Sequence, residues 1–347
     1  MITLVIILAV SLLVIIHEFG HYLVARAFGM RVITYSIGFG PSLARWRPRG
    51  SETVFQVAAL PILAYVHIAG MNPRDPADPN DRGSYQNASA LARFMVLAAG
   101  PFANYLAACV LLFLRLWLGG TEADVQRPWI GRVEPRSPAQ AAGLRPGDLI
   151  RSIDGQRLGE WSELPRRVAA SQGRTLEVVV SRGAQEVTLR VTPRPNPQRR
   201  QAWLIGVASR IQYVPVSVSD AAAASLVRPA QLCVANVRGL YQMIRGRERV
   251  QVMGPVLIVA EASREAEHGW REAVATLALV SLALCVMNLI PIPAFDGGRL
   301  VFLLYEMVRR RKAPPTLETY LVAFSMVLVL AFGAAVTVHD IYLVVNR

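Results

Sequence analysis

The sequence predicts a polytopic α-helical membrane protein, with four transmembrane helices and a small α+β domain inserted between the second and third. Three observations predict this. Four apolar runs, Ile2–Ala27, Leu91–Leu118, Ala273–Ile290 and Tyr320–Val345, each supply the roughly 20 residues that a hydrocarbon core of about 30 Å requires. The stretch 127–205 instead alternates short β-branched runs with turn residues. Arginine is distributed unevenly among the links between the runs. Composition agrees, with 53% of the 347 residues hydrophobic and a mean hydropathy of +0.35.

The first run has no basic n-region and no small-residue cleavage site, so it reads as a retained span. It carries no charge from Ile2 to Ile16, then meets His17-Glu18-Phe19-Gly20-His21 before apolar residues resume. Water cannot solvate such groups inside an apolar span, so they mark a functional site. The two histidines are four residues apart and lie on one helical face. His-Glu-x-x-His on a helix is the spacing of a zinc site, and Glu18 can reach a water there without being a ligand. In a polar helix the same motif is often only a solvated face.

A catalytic zinc site usually takes three protein ligands. The sequence offers a third in Asn288-Leu289-Ile290-Pro291-Ile292-Pro293-Ala294-Phe295-Asp296-Gly297-Gly298, which breaks the third run before it continues to Val308. Non-helical backbone at membrane depth is tolerated only where it is buried in protein or lines a wet cavity. Asp296 can turn its carboxylate to the histidines, or it can cap the helix Gly297–Arg310. Spacing leaves both readings open.

Arg309, Arg310, Arg311 and Lys312 lie in the last link, and Arg31, Arg45, Arg47, Arg49, Arg74 and Arg82 in the first. The positive-inside rule makes both links cytoplasmic, which puts both termini and residues 119–270 on the other side. His17, about 22 Å along its span, then lies in the cytoplasmic half. The net charge is +13, yet Lys312 is the only lysine among 37 basic residues. That skew fits a GC-rich genome. No aromatic-plus-basic motif accompanies it, so nucleic acid is not an expected partner and membrane lipids are. Cys109, Cys233 and Cys285 show no CxxC spacing and read as small packing residues.

Within the insert, strand-like runs occur at Trp129–Val133, Asp148–Ile153, Leu176–Ser181 and Val187–Val191, with turns at Asp154-Gly155 and Arg182-Gly183. Ser137-Pro138-Ala139 through Gly147-Asp148-Leu149-Ile150, followed by Ile153-Asp154-Gly155, resembles the signature of PDZ domains in their circularly permuted bacterial form. The resemblance implies a domain that takes an extended peptide or chain terminus as an added strand. Pro193–Arg200 reads as a linker. Residues 220–250 read as an amphipathic helix, with Leu226, Leu232, Val237, Leu240 and Ile244 among Arg228, Arg238, Arg245 and Arg247. It lies along the outer membrane interface or packs on the PDZ domain.

His-Glu-Phe-Gly-His in a first span, a PDZ domain between two pairs of spans and N-x-x-P-x-P-x-x-D-G-G in a third together resemble the site-2 protease family. The nearest group is the bacterial regulator of sigma-E protease (RseP-like) branch, here with a single PDZ domain in place of the usual pair. Gly100-Pro101-Phe102-Ala103-Asn104 and Gly254-Pro255 match further family motifs. The resemblance implies Zn2+ held by His17, His21 and Asp296, Glu18 as general base, and Asn288 holding substrate or the transition state. It also implies that Val54–Met71 forms a membrane-dipping β-hairpin whose edge pairs with substrate. Tyr65 and Val66 stand at that edge, where Leu63-Ala64 replaces the glycines of a common "GGYV". The implied activity is zinc-dependent hydrolysis of a peptide bond within or near the transmembrane segment of a single-pass membrane protein. That substrate, such as an anti-sigma factor, is first trimmed by an upstream site-1-type protease; a remnant signal peptide is the other candidate. The implied location is the bacterial inner membrane. The expected regions are 1–118, 127–205, 206–270 and 271–347. The alternative is a non-enzymatic PDZ scaffold with a vestigial metal site, although Glu18 and every ligand are intact.

Overall fold

A computed structural model describes residues 1–72, 78–123, 127–196, 203–210, 212–246 and 253–345. Arg74, Arg247 and residues 197–200 of the expected linker lie outside the described residues. The chain forms two compact units, Met1–Leu118 with Ser217–Arg347, and Gly119–Val216. It begins with α1 (Ile2–Ala27), β1 (Val32–Trp46), β2 (Val54–Ile68) and α2 (Ala90–Gly119). The inserted unit follows as β3 (Thr121–Ala123), β4 (Ile130–Val133), α3 (Pro138–Ala141), β5 (Leu149–Ile153), β6 (Gln156–Arg157) and α4 (Glu163–Ala170). It continues with β7 (Leu176–Arg182), β8 (Gln185–Val191), β9 (Arg194–Pro195), β10 (Trp203–Leu204), β11 (Val207–Ser209) and β12 (Gln212–Val214). The chain closes with α5 (Val218–Ile244), α6 (Pro255–His268), α7 (Trp270–Leu289), α8 (Asp296–Arg309) and α9 (Pro315–Val345).

Among the described residues, α1, α2, α7 and α9 are long and apolar enough to cross a membrane. Helices satisfy their own backbone groups, which lipid cannot do. Their outer faces present Leu4, Leu8 and Leu12 on α1 and Phe324, Leu328 and Phe332 on α9, side chains that suit hydrocarbon and not water. The third run does not continue as one span. Helix α7 ends at Leu289, a turn closes through Phe295 N–H to Ile292 C=O (2.8 Å), and α8 starts at Asp296. Pro291 and Pro293 have no N–H to extend the ladder.

The hairpin is larger than Val54–Met71. That range supplies only one arm, β2, and the other is β1, from Val32. The antiparallel pair doubles back on itself, so that Thr34–Ile37 sits between 54–57 and 64–67 of β2, and Ser42–Trp46 pairs with 55–58. Ala64–Ile68 is thereby left as an outer edge. The Tyr35 hydroxyl donates to Ile15 C=O (2.9 Å), and Tyr35 packs edge-on against Tyr22 with ring centroids 5.5 Å apart. Both contacts fasten the hairpin to α1.

Helix α5 packs on α2 and α7 through Leu232 and Cys233, which meet Ala108, Ala278 and Leu282. Tyr105 Oη also donates to Leu226 C=O (3.2 Å). Residues 217–268 therefore belong to the helical unit and are not a separate linker region. The Asp340 carboxylate of α9, fully buried, accepts the N–H groups of Gly254 and Leu257 at the start of α6 (3.3 and 3.0 Å). This is favourable charge at a helix N-terminus.

In the inserted unit, β6-β5-β7-β8 form one sheet, while β11 pairs with β4 and β12 with β3. Ile150, Ile153, Leu164, Val168, Val178, Val180 and Ile205 fill its core. The domain does not stop at residue 205. Val207–Ser209 pairs back onto Val133–Ile130, giving β4 the partner its backbone needs, and the unit runs to Val216. Ser137 caps α3 by accepting Gln140 N–H (3.2 Å).

Candidate metal centre

Helix α1 carries the motif into the helical unit with His17 and His21 on its buried face. Asp296 arrives from the first turn of α8, and the residue at the cap position is Phe295, with no side-chain cap bond. The Asp296 carboxylate faces the two histidines. Its Oδ2 lies 3.1 Å from His17 Nε2 and 3.3 Å from His21 Nε2, and the two Nε2 atoms are 3.3 Å apart. Glycine at 297 and 298 is what lets α8 begin this close. A side chain at Gly297 would meet the carbonyls of Leu289 and Ile290, and one at Gly298 the carbonyl of Ile292.

Among the described residues these three form the one cluster of three or more His, Cys, Asp or Glu donors that can hold a metal ion. A tetrahedral zinc ion with bonds of about 2.0–2.1 Å holds its ligand atoms about 3.3 Å apart. The observed spacings match that length, and two nitrogens with one carboxylate oxygen suit zinc. The residues fit the ion. The outer nitrogens are also engaged, His21 Nδ1 with Val96 C=O (2.7 Å) and His17 Nδ1 with the Asn104 amide (3.2 Å). Such contacts set the orientation of metal-binding imidazoles. Gly100 faces the same rings, and a Cβ there would strike His21 Nε2 and His17 Nε2.

Glu18 stands beside the cluster without joining it. Its Oε2 accepts Val66 N–H from the outer edge of β2 (3.1 Å). Tyr65 hydrogen-bonds through its hydroxyl to Gln56 Nε2 (2.9 Å), which also donates to Ser36 Oγ. The Asn288 amide donates to Leu284 C=O of its own helix (3.0 Å). The roles of Gly100 and Asn104 were not legible in the motif that contains them. A buried amide in an apolar span was the available signal for Asn104.

The profile of Peptidase family M50 matches residues 5–332. The chain belongs to peptidase family M50. This family comprises the site-2 proteases, and M50 membership agrees with the resemblance read from the motifs. Relatives named "Putative zinc metalloprotease" align with nearly the whole chain. The one from Nostoc sp. (all3971) is 31% identical over 341 residues, covering 95% of this chain and 93% of its own. The one from Campylobacter jejuni (Cj1068) is 29% identical over 356 residues, covering 98% and 93%. The one from Mesorhizobium japonicum (mll0638) is 31% identical over 358 residues, covering 96% of each. A crystal structure of the PDZ domain of the SdrC-like protein from Listeria monocytogenes aligns with 25% of this chain and 92% of its own, at 20% identity and a TM-score of 0.22. This M50 peptidase has, among its described residues, four helices long and apolar enough to cross a membrane.

Proposed function

We propose that this M50 peptidase cuts a single-pass membrane protein within or beside its transmembrane segment, with His17, His21 and Asp296 as zinc ligands and Glu18 as general base. One observation supports this above the others. Glu18 follows His17 directly in the chain, and its carboxylate accepts Val66 N–H at the open edge of a β-strand. Bound zinc lowers the pKa of water to about 7 and polarises a carbonyl oxygen. Glu18 takes the water proton as oxygen bonds to the scissile carbonyl carbon, and returns a proton to nitrogen as the C–N bond breaks. A helical substrate has its amides internally bonded, so it must unwind before cleavage. The edge 64–68 offers the freed amides new partners, with Tyr65 and Val66 at its centre. Asn288 is the second positioning group, exchanging its bond to Leu284 for one to substrate.

The substrate class is a pre-trimmed membrane protein such as an anti-sigma factor, or a remnant signal peptide, in the bacterial inner membrane. An upstream protease exposes the terminus. The PDZ domain, extracytoplasmic by the arginine asymmetry, then reads that terminus or excludes bulky ectodomains. The test is proteoliposome cleavage of a single-pass substrate by wild type and Glu18→Gln, each assayed for zinc. Cleavage should fall about 10²–10⁴-fold with zinc retained. Undiminished cleavage by Glu18→Gln removes the general-base role.

A further inference from the structure

We propose that Asn104 is a positioning residue for the metal centre, its Oδ1 accepting the Nδ1 hydrogen of His17 when His17 holds zinc through Nε2. This inference rests on the His17–His21–Asp296 ligand set. His17 directs Nε2 at Asp296 and His21, so the lone pair offered to a metal is on Nε2. A neutral imidazole ligating through Nε2 carries its hydrogen on Nδ1 and is a donor there. The Asn104 atom now facing Nδ1 is Nδ2, at 3.2 Å, which is also a donor. Two donors cannot face one another across a hydrogen bond.

The other end of the amide shows the same mismatch. Asn104 is fully buried, and its Oδ1 has no hydrogen-bond partner. A buried acceptor left unpaired costs about 1–3 kcal/mol. The two orientations of an amide have the same shape and differ only in their hydrogen bonds. In the orientation with Oδ1 toward His17, that oxygen accepts Nδ1–H and is no longer unpaired. The equivalent nitrogen of His21 already has an oxygen acceptor, Val96 C=O, so both imidazoles then share one arrangement.

The position of Asn104 is secured separately. Its backbone carbonyl accepts the Ser281 hydroxyl of α7 (2.8 Å), and Ser281 is fully buried. Because that tie runs through the main chain, changing the side chain leaves it in place.

The experiment measures zinc affinity by chelator competition on the full-length detergent-purified protein, with Asn104→Leu, Asn104→Asp and Asp296→Ala beside wild type. Cobalt(II) spectra of each refilled protein are recorded alongside. Asn104→Leu keeps the branched heavy-atom shape, though bulkier, and removes the acceptor, so zinc should bind about 10–100-fold more weakly. Asn104→Asp keeps an acceptor and should bind zinc at least as tightly as wild type, with a shifted cobalt band. A residue needed only for packing gives the opposite order, because a buried carboxylate damages a core that leucine tolerates. Equal affinity of wild type and Asn104→Leu, or equal weakening by Asn104→Leu and Asn104→Asp, overturns the inference while leaving the ligand set standing. Undiminished zinc binding by Asp296→Ala overturns the ligand set and this inference with it.

Discussion

Asp148 in the inserted unit and Asp296 in the helical unit are both carboxylates removed from bulk water, but their partners differ in kind. Asp148 is 1% exposed and meets a full set of donors. Arg182 Nε and Nη2 reach its two oxygens at 2.8 Å each, and Arg145 N–H adds a third bond at 2.9 Å. Burial alone would raise its pKa, but the Arg182 and Arg145 hydrogen bonds outweigh burial and hold the carboxyl below the usual carboxylate range. Asp296 meets two imidazole nitrogens on the same oxygen. The difference teaches how to tell a structural buried charge from a functional one. Around Asp148 the protein supplies the positive charge itself. At Asp296 the carboxylate and two imidazoles bring three ligand atoms together, an arrangement that a cation would complete.

The contrast breaks most sharply at the metal centre. Asp296→Ala should reduce zinc from about one per chain to a small fraction, measured by metal analysis of purified protein. Zinc retained in full would place Asp296 with Asp148 as a structural residue. Next in size is Gly100→Ala. Alanine favours a helix over glycine by up to about 1 kcal/mol, yet its methyl group would press on both imidazoles. Chelator competition should therefore show zinc weakened at least about tenfold, without loss of helical content by circular dichroism.

On the other side of the comparison, Asp148→Ala should leave zinc content unchanged. It removes the hydrogen bonds of Arg182, which is 29% exposed at its side chain, and should cost the inserted unit about 1.5–3 kcal/mol. Hydrogen exchange of β7 and β8 in the full chain reads this directly. The smallest effect is in pH dependence. A carboxyl whose folded pKa is lowered contributes stability above its unfolded value, about 3.9, and loses that contribution as pH falls through the folded value. Protection of β7 and β8 should thus decline on acidification below about pH 4, and Asp148→Asn should flatten that decline.

Much of this was legible because it depends on local rules. Lipid forces a span to be helical and apolar, so α1, α2, α7 and α9 declare themselves by length and composition. The α-helical repeat puts His17 and His21 together without any knowledge of tertiary contacts. Ser137-Pro138 announces the start of α3, since a hydroxyl cap and an N1 proline are chemical requirements of a helix end. The hairpin was harder. Its Val32–Trp46 arm alternates weakly and contains Gly38 and Gly40, and its pairing doubles back over many residues, which a strand-length window does not detect. The extension of the inserted unit past residue 205 was hidden because Val207–Ser209 is too short to stand out alone.

By itself the sequence determined the four spans and the inserted domain, and it pointed to His17, Glu18, His21 and Asp296 as the side chains proposed for the chemistry, because each follows from spacing along one element or from a family motif. The tertiary structure decided what joins residues far apart in the chain. It turned Asp296 from a possible cap into a partner of His17 across 279 positions, and set Val66 N–H on Glu18 across 48. It also brought the Asn104 amide to His17 Nδ1, 87 positions away. Hydrogen bonding and metal ligation act over about 3 Å, and no local pattern determines which distant residues the packing of helices will bring within that reach.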